Sequence, residues 1–504
     1  MKKRCVSLFL LPLLLIQYSF GQQPAGKSWF IDYEAWNENT PALHILCGND
    51  PILNPGDELT LEMWVRAYTF GENRKVLGKI DSQGDSFDNG YVMGFQNLNV
   101  YTEIWNPTLQ VIPYAGSGPM VVDSGFVHLA TTYSATTGKM QDYINGVLVG
   151  EIQIFPANPI APNDAEFMIG AAPWDPFAYQ FYGALDEVRV WNVARTQAQI
   201  KDYMFKELSG SEEGLVAYYN FNTAEGITVP DMSGNNNTGT LQNGDDPSWS
   251  WATSYAPVGG IHMYELSEPV AAWSGKTGNE FNYAVTQNGL SVIAEIGRKE
   301  FWKYVLFAHN DLQGISSSDA PSGQHTDFAR THREWNLQQS GNPSKSVFLN
   351  INQAAGNGET LPTGAEPNHY ALLYRTHTDT NFEAIAFPNQ VFHENLIFND
   401  LVLSDGYYAL GYSSSSFDLH LNTPEFSMIP RVEVFPNPAT DYLFISNAAN
   451  QKVVIADLQG RILMEIYPGS EKEQISTRLL PAGFYTLTVF RQHNRSTHKL
   501  IINK

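Results

Sequence analysis

Two groups of residues in this sequence have types and spacing that could do chemistry. The first is the run IDSQGDSFDNG over residues 80–90. It places Asp81, Asp85, Asp88 and Asn89 around a glycine. Carboxylate and amide oxygens clustered on a short turn are the hard donors that calcium takes. A merely solvated acidic loop between strands has the same composition, so both readings stand here. The second group is aromatic. TEIWNPTLQVIPY (102–114) and APWDPFAYQFY (172–182) read as proline-punctuated loops carrying Trp105, Trp174, Phe177 and Tyr179. Indole and phenol faces on loops held by a rigid scaffold are platforms on which sugar rings stack. Packing in a sandwich core is the competing role for each.

A catalytic set is harder to find. Glycoside hydrolysis needs two carboxylates about 5–10 Å apart. On a strand, acids would have to alternate to share a face. Asp186 and Glu187 are neighbours, and Glu62 stands alone in its strand. SGKTG (274–278) resembles the end of a phosphate loop, but position 270 is valine where the pattern needs glycine. The histidines of residues 309–393 show no compact zinc spacing. The expectation is therefore a non-catalytic chain with no catalytic residue, with a polysaccharide hydrolase or metallohydrolase as the enzymatic alternative.

Composition narrows the partners. The chain has 504 residues and a formal net charge of −22, which repels nucleic acid and anionic membrane surfaces. Lys2, Lys3 and Arg4, an apolar run over 5–16 and small residues at Ser19 and Gly21 read as a signal peptide over 1–21. No other apolar run is long enough for a transmembrane helix, so none is expected in the mature chain. Past that leader, Cys47 is the one remaining thiol and is expected to be a buried hydrophobe.

The elements that must position these residues read as all-β: short alternating runs between Gly, Asn, Asp and Pro clusters. LTLEMWVRA (59–67) puts Leu59, Leu61, Met63 and Val65 on one face, and Asn145-Gly146 marks a hairpin between Met140–Ile144 and Val147–Ile152. A single helical period falls at Ala194–Lys206, with Thr196 as its N-cap. Three bodies are expected: residues 22–258, a second β-sandwich of about seven strands and unknown role over 259–425, and a small immunoglobulin-like sandwich over 431–504. A linker over 426–430 precedes the last body.

LEMWVRA, HLATTYSATTGKMQDYINGVLVG, GALDEVRVWNVARTQAQI and GLVAYYNFN…VPDMSGNNNTGTL resemble a laminin-G-like, concanavalin-A-type jelly roll across residues 40–245. That resemblance implies a scaffold for adhesion or carbohydrate binding and supports calcium near Asp81. VFPNPATDYLFI, VVIADLQGRIL, LLPAGFYTLTV and HKLIINK resemble the type A sorting domain of the type IX secretion system. Pro436, Asn437, Pro438, Gly460, Gly483, Tyr485 and Lys499 are the matching positions. The two resemblances imply an adhesin or glycan-binding protein of a Gram-negative bacterium, exported by that machinery and then secreted or attached to the outer-membrane surface. Its expected partners are that machinery and an extracellular glycan or surface polysaccharide. A structural surface or matrix component is the third reading.

Overall fold

The computed structural model describes residues 26–31, 42–67, 73–83, 86–96, 99–105, 125–154, 157–243, 250–273, 282–296, 302–321, 327–341, 345–417, 433–435 and 439–446, and most of 448–503. The proposed signal peptide and the linker at 426–430 lie outside these residues.

The first body is a two-sheet sandwich. Its strands are β1 (Lys27–Ile31), β2 (His44–Leu46), β3 (Glu58–Ala67), β4 (Asn73–Gln83), β5 (Ser86–Gln96), β6 (Asn99–Trp105), β7 (Val127–Ser134) and β8 (Lys139–Ile144). There follow β9 (Val147–Gln153), β10 (Met168–Ile169), β11 (Gly183–Trp191), β12 (Leu215–Tyr219), β13 (Thr228–Val229), β14 (Gly239–Gln242) and β15 (Trp251–Thr253). One sheet runs β15-β1-β11-β3-β7-β8-β9 with β12 paired on β11, and the facing sheet runs β13-β14-β2-β10-β4-β5-β6. The alternation of β3 sets this arrangement. Leu59, Leu61, Met63 and Val65 enter the core between the sheets, while Trp64 points the other way. The Asn145-Gly146 turn joins β8 to β9 with both residues at positive φ (51° and 70°), as a tight hairpin requires. A helix, α1 (Gln197–Tyr203), carries the expected cap: Gln199 N donates to Thr196 Oγ1, and the Gln199 side chain accepts from Thr196 N. Cys47 is buried, and that burial pushes its thiol up to about 12.

The second sandwich pairs an eight-stranded with a five-stranded sheet, built from strands between Ser267 and Ser413. That exceeds the seven strands expected. Segments such as Ile315–Ser316 and Gln390–Phe392 are too short to show an alternation. The described residues up to Phe417 nevertheless form one compact unit. An apolar cluster joins the outer face of β3 and the residues after α1 to the second sandwich through Trp64, Phe205, Met263, Trp273, Tyr304 and Leu306.

The described residues from Glu433 onward form a separate compact unit. Its described strands make a three-stranded sheet and a four-stranded sheet, seven strands in all. Leu443 and Ile445 face the core, and Tyr442 stays 44% exposed on the opposite side of the same strand.

Candidate functional site

β6 begins the site. Val100 and Ile104 turn into the sandwich core, so alternation sends Tyr101, Glu103 and Trp105 to the outer face of the seven-stranded sheet. On β4 a bulge at Val76 brings Lys75 to that same face, opposite Gly94. Gly94 is required there, because a Cβ at this position would stand 2.1 Å from Arg74 O and 2.7 Å from the Lys75 Cα.

Lys75 and Glu103 then meet across β5. The Lys75 ammonium donates to Glu103 Oε1 at 2.7 Å, and the Trp105 indole donates to Oε2 at 2.9 Å. Both carboxylate oxygens are thereby used, and Glu103 fixes the orientation of Trp105. The side chains of Lys75 and Glu103 are 0% and 9% exposed. Burial lowers the Lys75 pKa from its ordinary value, and the Glu103 charge opposes that shift.

The 172–182 segment completes the site. Lys75 N donates to Tyr179 O at 2.9 Å, which ties the segment alongside β4. Asp175 Oδ1 accepts from Ala178 N at 3.0 Å, an Asx-type turn that closes the loop. Arg74 Nη1 reaches Ala178 O at 3.3 Å. Trp174 and Tyr179 consequently pack against each other with ring centroids 5.5 Å apart. The Lys75 ammonium lies 4.4 Å from the Tyr101 ring centroid and 6.0 Å from that of Trp174, within cation–π range. Phe177 projects from the same loop, 42% exposed. Thus Trp105 is bonded to the buried ion pair, Trp174 lies near its ammonium and Tyr179 packs on Trp174, with Phe177 on the same loop. One expectation needs correction. Thr102–Trp105 is the end of a strand rather than an exposed loop, and Thr102 is buried, bonded to Thr131. Lys75, Tyr101 and Glu103 were missed in the sequence, because a lysine and a glutamate 28 residues apart carry no local signal.

The described part of the acidic run is likewise strand rather than loop. Asp81 on β4 and Asn89 on β5 are directly paired residues of a long hairpin whose register shifts just beyond Asp81. β-Pairing extends past the acids because Phe87 and Ser86 continue the strand opposite Ser82 and Gln83. Asp85 and the side chain of Asp88 lie outside the described residues. Among the described residues no group of three or more His, Cys, Asp or Glu side chains is placed to hold a metal.

A second polar cluster was also illegible in the sequence. Asp186 and Glu187 do not simply alternate, because Glu187 takes φ 52° in a bulge of β11. Glu187 Oε2 accepts from Arg189 at 2.6 Å and from the Tyr218 hydroxyl at 2.7 Å. Glu62 Oε1 accepts from the Trp191 indole at 2.9 Å and from Arg189 at 3.4 Å. Arg189 also donates to the carbonyls of Tyr203, the last residue of α1, and of Lys206 beyond it. All these side chains are buried. Burial lowers the His128 pKa to about 4, so the imidazole beside Glu62 is neutral near pH 7. The cluster fastens the α1 segment to the sheet.

In the C-terminal unit, Tyr485 is 7% exposed and its hydroxyl donates to Pro481 O at 2.8 Å. Gly483 opens the strand paired with Asn494–Ile502, on which Lys499 stands opposite Thr486. Pro436, Asn437, Pro438 and Gly460 lie outside the described residues.

Comparison with known proteins agrees with this division. Residues 43–201 match the model of the concanavalin A-like lectin/glucanases superfamily, and residues 433–503 match that of the secretion system C-terminal sorting domain. No curated protein matches. Among solved structures the chain is similar to a candidate carbohydrate binding protein from Bacteroides ovatus, with 23% identity over 47% of this chain and 62% of that one and a TM-score of 0.33. It is also similar to the heptameric SAP-like pentraxin of Limulus polyphemus, with 16% identity over 35% of this chain and 80% of that one and a TM-score of 0.28. The Ruminococcus gnavus IT-sialidase CBM40 bound to alpha2,3 sialyllactose is a third, with 16% identity over 29% of this chain and 80% of that one and a TM-score of 0.25. The chain carries a concanavalin A-like lectin/glucanase superfamily domain within its first sandwich and a secretion-system sorting domain at its C-terminal end.

Proposed function

We propose that this protein is an exported glycan-binding protein, delivered by the type IX secretion system to the cell surface or the medium. Its ligand is an extracellular glycan or surface polysaccharide. The observation that carries this reading is the grouping of Trp174 and Trp105 about the buried Lys75–Glu103 pair, with Tyr179 packed on Trp174. The rings offer faces for a pyranose, and the pair beneath them fixes their positions so that little side-chain freedom is lost on binding. Phe177 extends the platform at the loop tip. The jelly-roll scaffold supplies the rigidity, and the second sandwich braces it from the far side through Trp273. The sorting domain supplies the export signal. Among the described residues no helix is long and apolar enough to cross a membrane.

A glycan array probed with residues 22–419 tests this reading. Both sandwiches are kept, because their shared core buries Trp64 and Trp273. Binding to a defined glycan class, lost in Trp174→Ala, is the expected result. Release of reducing sugar from the arrayed class, or no binding above background, contradicts it.

A further inference from the structure

Calcium is the cation that the acidic run and the fold both suggest, yet the described residues beside that hairpin already hold a cation of the chain itself. Lys79 lies on β4, two residues before Asp81, and is fully buried. The bulge at Val76 turns it to the face opposite Lys75, toward the segment that leads into β10. Its ammonium donates to Asn163 O at 2.8 Å, Asn163 Oδ1 at 3.0 Å and Ala165 O at 2.7 Å. Those three bonds use all the protons an ammonium has.

The oxygens around it are held in place from outside. Asn163 N donates to Asn54 Oδ1 at 3.2 Å, and Asn163 Nδ2 donates to Asn89 O at 3.3 Å. Burial lowers the Lys79 pKa to about 8, and the charges of Asp164 and Asp81 oppose that shift. Asn89 Oδ1 is buried without a hydrogen-bond partner. Two main-chain carbonyls, one amide oxygen, neighbouring carboxylates and an orphaned amide oxygen make the donor set that calcium takes elsewhere. The contacts here are those of N–H···O bonds, longer than the roughly 2.3–2.6 Å of calcium–oxygen bonds. A divalent ion and a buried ammonium cannot share so small a space without strong repulsion.

We propose that Lys79 is a built-in cation. Its ammonium occupies an oxygen cage between the β4–β5 hairpin and residues 163–165, so the native chain takes no calcium there. Removing the ammonium converts the cage into a divalent-cation site. The segment before β10 is thereby held by a covalent part of the protein, whatever the calcium concentration outside the cell.

The test uses the full mature chain, with calcium chloride and EDTA as the two conditions. The wild type is expected to melt at the same temperature in both. Lys79→Ala is expected to melt lower in EDTA and to recover in calcium, with calorimetric binding near one ion per chain. Lys79→Gln keeps a donor without the charge and serves if the alanine variant does not fold. A wild-type melting temperature that rises in calcium, with the rise abolished by Asp81→Asn, overturns the proposal. A Lys79→Ala protein that melts like the wild type, or that calcium does not stabilise, overturns it too. Should neither variant fold, calcium calorimetry on the wild type decides: heat that Asp81→Asn removes overturns the proposal, and none sustains it.

Discussion

Trp64 of the first sandwich and Trp273 of the second cross edge to face, with centroids 5.7 Å apart and planes at 81°. Each indole is also anchored to the chain, Trp64 Nε1 on Met204 O at 2.7 Å and Trp273 Nε1 on Phe126 O at 2.8 Å. Phe205 closes the cluster at 5.6 Å from Trp273. A contact of this kind makes two sandwiches fold as one. Residues 22–419 are expected to unfold in a single cooperative step, with Trp273→Ala costing about 3–5 kcal/mol. Two resolved transitions in a denaturant titration would show independent sandwiches instead.

Lys75 and Glu103 are expected to act on stability and on binding together. Glu103→Gln leaves a buried ammonium facing a neutral group, at a cost of about 3–5 kcal/mol. It also leaves a single side-chain oxygen where Lys75 and the Trp105 indole each had one. The double variant Lys75→Met with Glu103→Leu should recover most of the stability, since an apolar pair replaces an ion pair at little cost. Glycan affinity should stay low in the double variant, because the rings lose their fixed positions. Chemical denaturation and calorimetry on the same samples separate the two effects.

Asp142 gives the chain a pH dependence. It lies on β8 beside Met140 on the core side, with Oδ1 accepting from Thr131 Oγ1 at 2.6 Å and Oδ2 buried without a partner. Burial pushes its carboxyl up to about 7 from 3.8. The folded pKa is therefore the higher one. The stability this group contributes is complete below about pH 4 and is lost as pH rises through 7, because the unfolded chain releases the proton first. The gap of about three pH units corresponds to an upper bound of roughly 4 kcal/mol. Asp142→Asn should flatten this slope, so that its melting temperature overtakes the wild type between pH 5 and pH 8. Parallel slopes for the two proteins would place the titration elsewhere.

Sorting is tested by truncation. A chain lacking residues 431–504 is expected to accumulate in the periplasm, folded and able to bind glycan. Surface delivery of that truncated chain would show that export does not depend on the sorting domain.

Much of the fold could be read from the sequence, because period-two alternation and turn chemistry act locally. Leu59, Leu61, Met63 and Val65 on one face, the Asn145-Gly146 hairpin and the Thr196 cap each depend on residues a few positions apart. Trp174, Phe177 and Tyr179 share one proline-containing segment, so their proximity is local as well. What brings Lys75 to Glu103 is a bulge at Val76 and the register of three strands, and neither leaves a trace in the local pattern. The same holds for Glu62 and Arg189, 127 residues apart. Lys79 was passed over because a lysine in an amphipathic strand ordinarily faces solvent, whereas here it meets oxygens from a segment 84 residues away.

Glycan binding is expected to depend most on Trp174. Isothermal titration of the best glycan from the array into wild type, Trp174→Ala and Trp302→Ala measures it directly. Trp302 is 39% exposed on the second sandwich and serves as the control. The expected result is a loss of about 1–3 kcal/mol of binding free energy, or roughly five- to 150-fold in Kd, for Trp174→Ala and no change for Trp302→Ala. Equal affinity for wild type and Trp174→Ala would contradict it.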